Sequence, residues 1–374
     1  MVFLSEYYGV IMVVGTANMQ LVGVDLFSGA GGLSLGAELA GIDVILAVES
    51  DPFAAATYAL NHHKAVIVNK DIREIKVFPD NFSLEDKKIV LFGGPPCQGF
   101  STSNRKTNTK TNPQNWLYCE FIRIVKLVMP EWIVFENVTG FVEFASGDFL
   151  QVLIDELAKN GYKSSYEILT ASDFGVPQRR SRFFLIASKS GKQISFANLT
   201  KEPSVTVSDA ISDLPVLENG AVVDVLPYGA SAESDYARLM RGDSEECTGH
   251  LVSKNSELVV KRYEHIRQGE NWSSIPKLLM ENYADCSRCH TGIYHRLRPD
   301  KPSVVIGNYR KNMLVHPWSN RGLSVREAAR LQSFPDSYVF AGSIGFQQQQ
   351  VGNAVPPLLA KKVFEIISKE EKAI

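Results

Sequence analysis

Leu21-Val22-Gly23-Val24-Asp25-Leu26-Phe27-Ser28-Gly29-Ala30-Gly31-Gly32-Leu33-Ser34-Leu35-Gly36-Ala37-Glu38-Leu39-Ala40 passes from an apolar run through a glycine turn into an apolar-periodic segment. Leu21 to Leu26 reads as a short buried strand, Gly29 to Gly32 as a turn and Leu33 to Ala40 as a helix. Strand, glycine turn, helix is the opening of a doubly wound sheet, and the rhythm recurs downstream. Val44 to Glu49, Lys88 to Phe92, Trp132 to Glu136 and Arg182 to Ala187 read as strands; Pro52 to Asn61, Phe121 to Met129 and Phe149 to Asn160 read as helices, the last stopped by Gly161. Such alternation predicts an α/β fold with a Rossmann-like, mostly parallel sheet covered by helices. After Ser188 the rhythm breaks into irregular polar sequence with scattered prolines, as expected of a second, smaller domain. Helical signal returns at Ser324 to Gln332, where Ser324 can cap with Glu327 three residues on, and again from Pro357 to Lys369.

The chain has 374 residues, 45% of them apolar, enough for a sizeable core and about two domains. No apolar run approaches the ~18 residues that cross a bilayer, so no membrane association and a cytoplasmic location are expected. The five cysteines, Cys97, Cys119, Cys247, Cys286 and Cys289, are odd in number and lack a small-scaffold spacing, which argues for a reduced compartment. The net charge of −2 hides local clustering. Arg105, Lys106 and Lys110 lie in an acid-free Asn/Thr-rich stretch, and Arg179, Arg180 and Arg182 follow Gln178. Between Arg296 and Arg326 stand Arg296, Arg298, Lys301, Arg310, Lys311, Arg321 and Arg326 against the single acid Asp300. Clusters beside chemical motifs predict a polyanionic partner.

The glycine turn lets backbone approach a ligand at the sheet's carboxyl edge. A dinucleotide fingerprint would need glycine or alanine where Ser34 stands, which weakens a nicotinamide reading. Glu49, ending the next strand, is placed to accept two ribose hydroxyls, and Asp71 to accept from an adenine amino group; together with the turn they describe an adenosine site. Gly93-Gly94-Pro95-Pro96-Cys97-Gln98-Gly99-Phe100-Ser101 leaves the same edge, where two prolines stiffen the approach to a sulfur nucleophile. A lone cysteine is usually a small buried hydrophobe. Here Glu136-Asn137-Val138 brings a carboxylate to the end of a strand on the same edge.

This ordered set, from about Leu21 to Lys369, resembles the DNA cytosine-5 methyltransferases. Asp25 to Gly36 is similar to the family's cofactor loop, Pro95-Pro96-Cys97-Gln98 to its nucleophile loop, Glu136-Asn137-Val138 to its catalytic glutamate motif and Gln178-Arg179-Arg180-Ser181-Arg182 to its Gln-x-Arg-x-Arg motif. Arg326 to Pro335 resembles the element supporting the recognition domain, and Gly352-Asn353-Ala354-Val355-Pro356-Pro357 completes the cofactor pocket. The resemblance implies transfer of a methyl group from S-adenosyl-L-methionine to cytosine carbon 5 in double-stranded DNA, through base flipping and a covalent Cys97 adduct at carbon 6. It implies catalytic Cys97, Glu136, Arg180 and Arg182. The implied cofactor contacts are Phe27, Gly29, Ala30, Gly31, Gly32, Leu33, Glu49, Asp71, Ile72, Pro95, Leu117, Asn353 and Ala354, and the implied DNA contacts Gln98, Ser101, Arg105, Gln178 and Arg179. A monomer is expected, working beside a cognate restriction endonuclease or alone. The segment Ser101 to Pro113 corresponds to the loop that closes over flipped DNA; Gln114 departs from the arginine many relatives carry there.

The organisation that follows is an extension over 1–18, expected to be dispensable with Met19 an alternative start, then a catalytic and cofactor-binding domain over 19–190. A target-recognition domain spans 191–325, and residues 326–374 return to the catalytic domain. Two other readings stay open: an RNA (tRNA) cytosine-5 methyltransferase, and a non-catalytic DNA-binding protein on the same fold. The long region from Ser188 to Arg326 favours DNA. Cys247, His250, Cys286 and Cys289 have a zinc-like pair spacing but a long intervening segment, and no metal is expected. Cys286-Ser287-Arg288-Cys289-His290 matches a haem-attachment pattern that belongs to exported proteins, so no haem is expected either.

Overall fold

The computed structural model describes residues 20–77, 87–96, 116–143, 147–192, 194–283, 292–310 and 313–372. The chain opens with β1 (Leu21–Leu26), α1 (Gly32–Leu39), β2 (Asp43–Glu49), α2 (Pro52–Asn61), β3 (Val66–Asn69) and β4 (Lys88–Gly93). It continues with α3 (Leu117–Val128), β5 (Trp132–Val138), α4 (Gly140–Glu143), α5 (Asp148–Lys159), β6 (Lys163–Thr170) and β7 (Ser181–Ser188). These strands form one seven-stranded sheet in the order β3-β2-β1-β4-β5-β7-β6. The first five run parallel, and β7 is antiparallel to both β5 and β6. The expected mostly parallel, doubly wound sheet is present.

Alternating side chains build two cores. Val22, Val24, Leu26, Leu91, Ile133 and Phe135 face Phe121, Ile124 and Val125 of α3 and Leu153 and Leu157 of α5. Val44, Val90, Phe92, Trp132, Val134 and Phe184 face the other way, onto Leu33 and Ala37 of α1 and the helix at the chain's far end. That helix, α11 below, inserts Leu359, Val363, Phe364 and Ile367, all fully buried. At about 1.5–3 kcal/mol for each such side chain, this burial holds the two chain ends together. Gly36 allows the contact, since a Cβ there would meet Ala360 and the backbone of Lys361.

Local signals set the boundaries. Asp51 caps α2, accepting from the amides of Phe53 at 2.8 Å and Ala54 at 2.9 Å, with Pro52 at the first helical position. Gly161 follows α5 with φ +85°, a left-handed conformation that closes its last turn.

Beyond β7 come α6 (Val207–Ile211), β8 (Leu226–Pro227), α7 (Asp235–Arg241), β9 (Glu246–Cys247) and α8 (Glu257–Glu264). The two short strands pair with each other, and a satellite core of Tyr263, Ile266, Ile275, Met280, Tyr294 and Val315 fills this region. α9 (Val325–Leu331), α10 (Ile344–Asn353) and α11 (Pro357–Lys372) finish the chain. The Ser324–Glu327 capping box expected from the sequence starts α9. Among the described residues no helix is long and apolar enough to cross a membrane.

Candidate active site

The order of the sheet reverses between β1 and β4, and open α/β sheets bind ligands where their strand order reverses. Gly93 permits tight packing there, because a Cβ would strike the Leu26 carbonyl. At the carboxyl ends of the strands opens a cavity of about 210 Å³, lined by Phe27, Val48, Glu49, Ser50, Lys70, Asp71, Ile72, Arg73, Pro96 and Leu117. Five of these, Phe27, Glu49, Asp71, Ile72 and Leu117, were expected from the sequence.

Glu49 is fixed before any ligand arrives: Oε2 accepts from the Gly29 amide at 2.8 Å and Oε1 from the Asp51 amide at 2.7 Å. Oε2 keeps a lone pair for a ribose hydroxyl, and Oε1 can offer its second in place of the long 3.4 Å bond from Ser50 Oγ. Asp71 lies across the cavity, where hydrogen bonds from the Arg73 side chain and amide hold its carboxyl down to about 2. Phe27, Ile72 and Leu117 supply apolar walls for a flat base, so the donor set fits an adenosine.

The rest of the expected cofactor set does not line the cavity. Gly31 is left-handed at φ +89° and closes the turn by donating to the Ser28 carbonyl at 2.9 Å. Ala30 is buried, its carbonyl accepting from Tyr338 Oη. A Cβ on Gly32 would strike the Val355 carbonyl, and Leu33 and Ala354 are core residues away from the cavity. Asn353 contributes its carbonyl to Arg180 at 3.4 Å. Pro95 turns its carbonyl to Asn137 Nδ2 at 3.1 Å, and the next residue, Pro96, takes the expected place at the cavity. Val48, Ser50, Lys70 and Arg73 escaped the sequence reading, although each adjoins an acid that was singled out or lies two residues from it.

Glu136 sits near the end of β5, 7% exposed, with Oε1 3.0 Å from Arg182 Nε. Burial pushes its carboxyl up, against the pull of Arg182 and Arg180. The other carboxylate oxygen lies over Gly94, where a Cβ would collide with it. The proline loop therefore passes directly beneath the carboxylate. Arg182 is half-buried, and its desolvation lowers its own pKa against the Glu136 charge. Arg180 is buried; Nη1 donates to the Ile306 carbonyl at 3.1 Å, while Nε has no partner among the described residues. Cys97, Gln98, Ser101 and Arg105 lie outside the described residues, as do Lys106, Lys110, Cys286, Cys289, Lys311 and the extension over 1–18.

Gln178 corrects an expectation. Its side chain is fully buried, donating to the Leu331 carbonyl at 3.1 Å and Gln332 Oε1 at 2.8 Å and accepting from the Ile306 amide at 2.9 Å. Among the described residues it is an internal tie. Arg179 alternates to the exposed side, its amide donating to the Ser303 carbonyl at 2.8 Å.

Within the basic run from Arg296 to Arg326, Arg296, Arg321 and Arg326 are buried in the fold, while Arg298, Lys301 and Arg310 stand on the surface and Lys311 lies outside the described residues. Arg296 is buried against the carbonyls of Tyr263, Ile266, His316 and Ser319. Arg321 forms a buried pair with Glu327 at 2.7 Å, and Arg326 donates to the carbonyls of Thr248, Pro335 and Tyr338. Arg298 pairs with Asp300 at 2.6 Å. Irregular backbone buries carbonyls that no ladder satisfies, and guanidinium groups supply the missing donors. Cys247 Sγ lies 3.3 Å from His250 Nε2, both buried; burial raises the thiol to about 11 and lowers the imidazole to about 4. Among the described residues no group of three or more His, Cys, Asp or Glu could hold a metal.

Comparison with known proteins agrees with this geometry. The chain is 37% identical over 356 residues to the type II methyltransferase M1.HphI of Haemophilus parahaemolyticus, covering 94% of this chain and 87% of that one. It is 34% identical to the type II methyltransferase M.DdeI of Desulfomicrobium norvegicum, over 92% of this chain and 88% of that one. A solved chain assigned as a DNA modification methyltransferase encoded within a prophage (E. coli) superposes with TM-score 0.78 at 27% identity, covering 94% of this chain and 99% of that one. The family model described as C-5 cytosine-specific DNA methylase matches residues 21–369, and the chain belongs to that family.

Proposed function

We propose that this enzyme methylates carbon 5 of a cytosine within a specific sequence of double-stranded DNA, with Cys97 as nucleophile and Glu136 as the group that manages the proton on ring nitrogen 3. The observation that carries this reading is the buried Glu136 carboxylate, paired to Arg182 at 3.0 Å and lying over Gly94, which stands three residues before Cys97 in the proline loop.

Cytosine carbon 5 is too weak a nucleophile to take a methyl group unaided. Addition of the Cys97 sulfur to carbon 6 places electron density on carbon 5, provided nitrogen 3 is protonated or strongly hydrogen-bonded as charge builds. Glu136 can hold that proton because burial raises its pKa. Arg182 keeps the carboxyl oriented and can also face the base's O2. S-adenosylmethionine, when bound, supplies the electrophilic methyl group. Loss of the carbon 5 proton and expulsion of the sulfur then restore the ring. A stacked base is out of reach of all these groups, so the target nucleotide must leave the duplex, at a cost of a few kcal/mol.

The cavity's two acids and its apolar walls support an adenosine-bearing methyl donor. The region 191–325 is proposed to read the DNA sequence, and 326–374 to complete the catalytic domain. The length of that middle region supports DNA over transfer RNA. By likeness to type II methyltransferases, the enzyme is proposed to act in the cytoplasm as a monomer beside a cognate endonuclease. Incubation of purified protein with methyl-labelled S-adenosylmethionine and mixed-sequence DNA tests the reading. Label should appear in 5-methylcytosine at one recurring sequence; label in N4-methylcytosine or N6-methyladenine, or none at all, would overturn it.

A further inference from the structure

Behind the glycine loop runs a line of buried hydrogen bonds that no step of the reaction uses. Tyr338 Oη donates to the Ala30 carbonyl, and His62 Nε2 lies 2.9 Å from the same hydroxyl. His62 Nδ1 lies 3.0 Å from both carboxylate oxygens of Glu38. Counting protons fixes the direction of these bonds. A carbonyl can only accept, so the single tyrosine proton goes to Ala30; the hydroxyl oxygen then accepts from His62 Nε2–H, and Nδ1 faces the Glu38 carboxylate. Tyr338 is held from its other end as well, its backbone carbonyl accepting from Arg326 Nη2 at 2.7 Å. Tyr338 is 3% and His62 2% exposed, so no water replaces a lost partner. Gly31 is packed against the pair, since a Cβ there would lie 2.6 Å from Tyr338 Oη.

We propose that Tyr338, backed by His62 and Glu38, is a positioning residue for the methyl donor: it anchors the Ala30 carbonyl and so keeps the glycine loop in the shape that receives the ligand. The inference rests on the reading that this loop borders the cofactor site. Glu49 holds the loop from the cavity side through the Gly29 amide, and Tyr338 holds it from behind. With both anchors in place the loop is ordered before binding, and its ordering no longer costs affinity.

The test is calorimetric titration with S-adenosylhomocysteine, alongside thermal melts. Tyr338→Phe removes only the hydroxyl, for the ring stays packed on Phe334 at 4.7 Å and Phe340 at 5.4 Å between centroids. Its Kd should rise about fivefold to thirtyfold, the scale of one buried hydrogen bond, with KM for S-adenosylmethionine rising in step and kcat largely kept. Glu38→Gln, on a partly exposed side chain, should shift Kd the same way by less. A melting temperature that falls while Kd stays at the wild-type value would make Tyr338 a structural residue and overturn the inference. Should Tyr338→Phe fail to fold, an unchanged Kd in Glu38→Gln has the same force. Failure of the wild-type protein to bind S-adenosylhomocysteine would instead overturn the reading of the loop itself, and this inference with it.

Discussion

Glu136 and Arg182 form a diagonal pair across the antiparallel strands β5 and β7, 3.0 Å apart, the acid buried and the guanidinium half-buried. Register brings them together: Val138 stands opposite Arg182 and Glu136 opposite Phe184, so acid and guanidinium share one face of the sheet. The pair gives the site a charge it can hold in the dry interior.

Glu136→Gln keeps the shape and removes the titrating group. The variant should fold, bind S-adenosylhomocysteine like wild type and lose about 10²–10⁴ in kcat. Because burial raises this carboxyl, wild-type kcat should fall as the pH rises through its titration, and that descending limb should be missing from the variant. Stopped-rate assays across pH check both; an unaltered limb would remove Glu136 from the proton chemistry.

Arg182→Met strands Glu136 as an uncompensated buried charge. Such a loss costs about 3–5 kcal/mol, read as a lower denaturation midpoint. The double variant Arg182→Met/Glu136→Gln should recover much of that stability but none of the activity.

Gly94→Ala places a methyl group against Glu136 Oε2. The carboxylate must move, so kcat should drop at least tenfold while the cofactor Kd holds. Equal losses of kcat and cofactor affinity would show instead that the whole strand end had shifted.

Stability should fall on acidification in two stages. Burial lowers His316 and His250 to about 4, so between pH 6.5 and 4 the unfolded chain binds more protons than the folded one. Stability present above pH 6.5 is lost across that window. For Glu327, burial raises the carboxyl, but Arg321, His316 and its hydrogen bonds outweigh it and hold the pKa at about 2. Its contribution is present above pH 4.5 and lost from there toward 2. Urea denaturation at pH 7, 5 and 3.5 should show midpoints falling in that order, with a shallower first step in His250→Gln.

Much of the catalytic half was legible because its strands are buried on both faces and its turns carry glycine. β1 and α2 have the bounds that hydrophobic pattern and caps indicated, and the Ser324–Glu327 box is in place. β3 and β6 were missed because they are the sheet's two edges, with side chains mostly half-buried or exposed and no clean period. α10 was missed for the opposite reason. Its glutamines Gln347, Gln348 and Gln350 are buried and hydrogen-bonded, which polarity alone disguises as surface. The same confusion affected Gln178, Arg296, Arg321 and Arg326, whose long polar side chains looked ready for DNA but satisfy buried backbone. Burial depends on which distant segments meet, and local sequence does not carry that. The cavity acids Glu49 and Asp71 were readable because they stand at or just past strand ends, whereas Tyr338 reaches Ala30 and His62 across hundreds of residues.

The proposed reaction requires Cys97 to attack cytosine carbon 6 in DNA. Incubating the enzyme with S-adenosylmethionine and duplex DNA carrying 5-fluorocytosine at the methylated position tests it most directly, since fluorine blocks the final elimination. The expected result is a denaturant-stable protein–DNA adduct whose mass-mapped attachment is the peptide containing Cys97, and which is absent in Cys97→Ala. No adduct, or one attached elsewhere, would contradict the account.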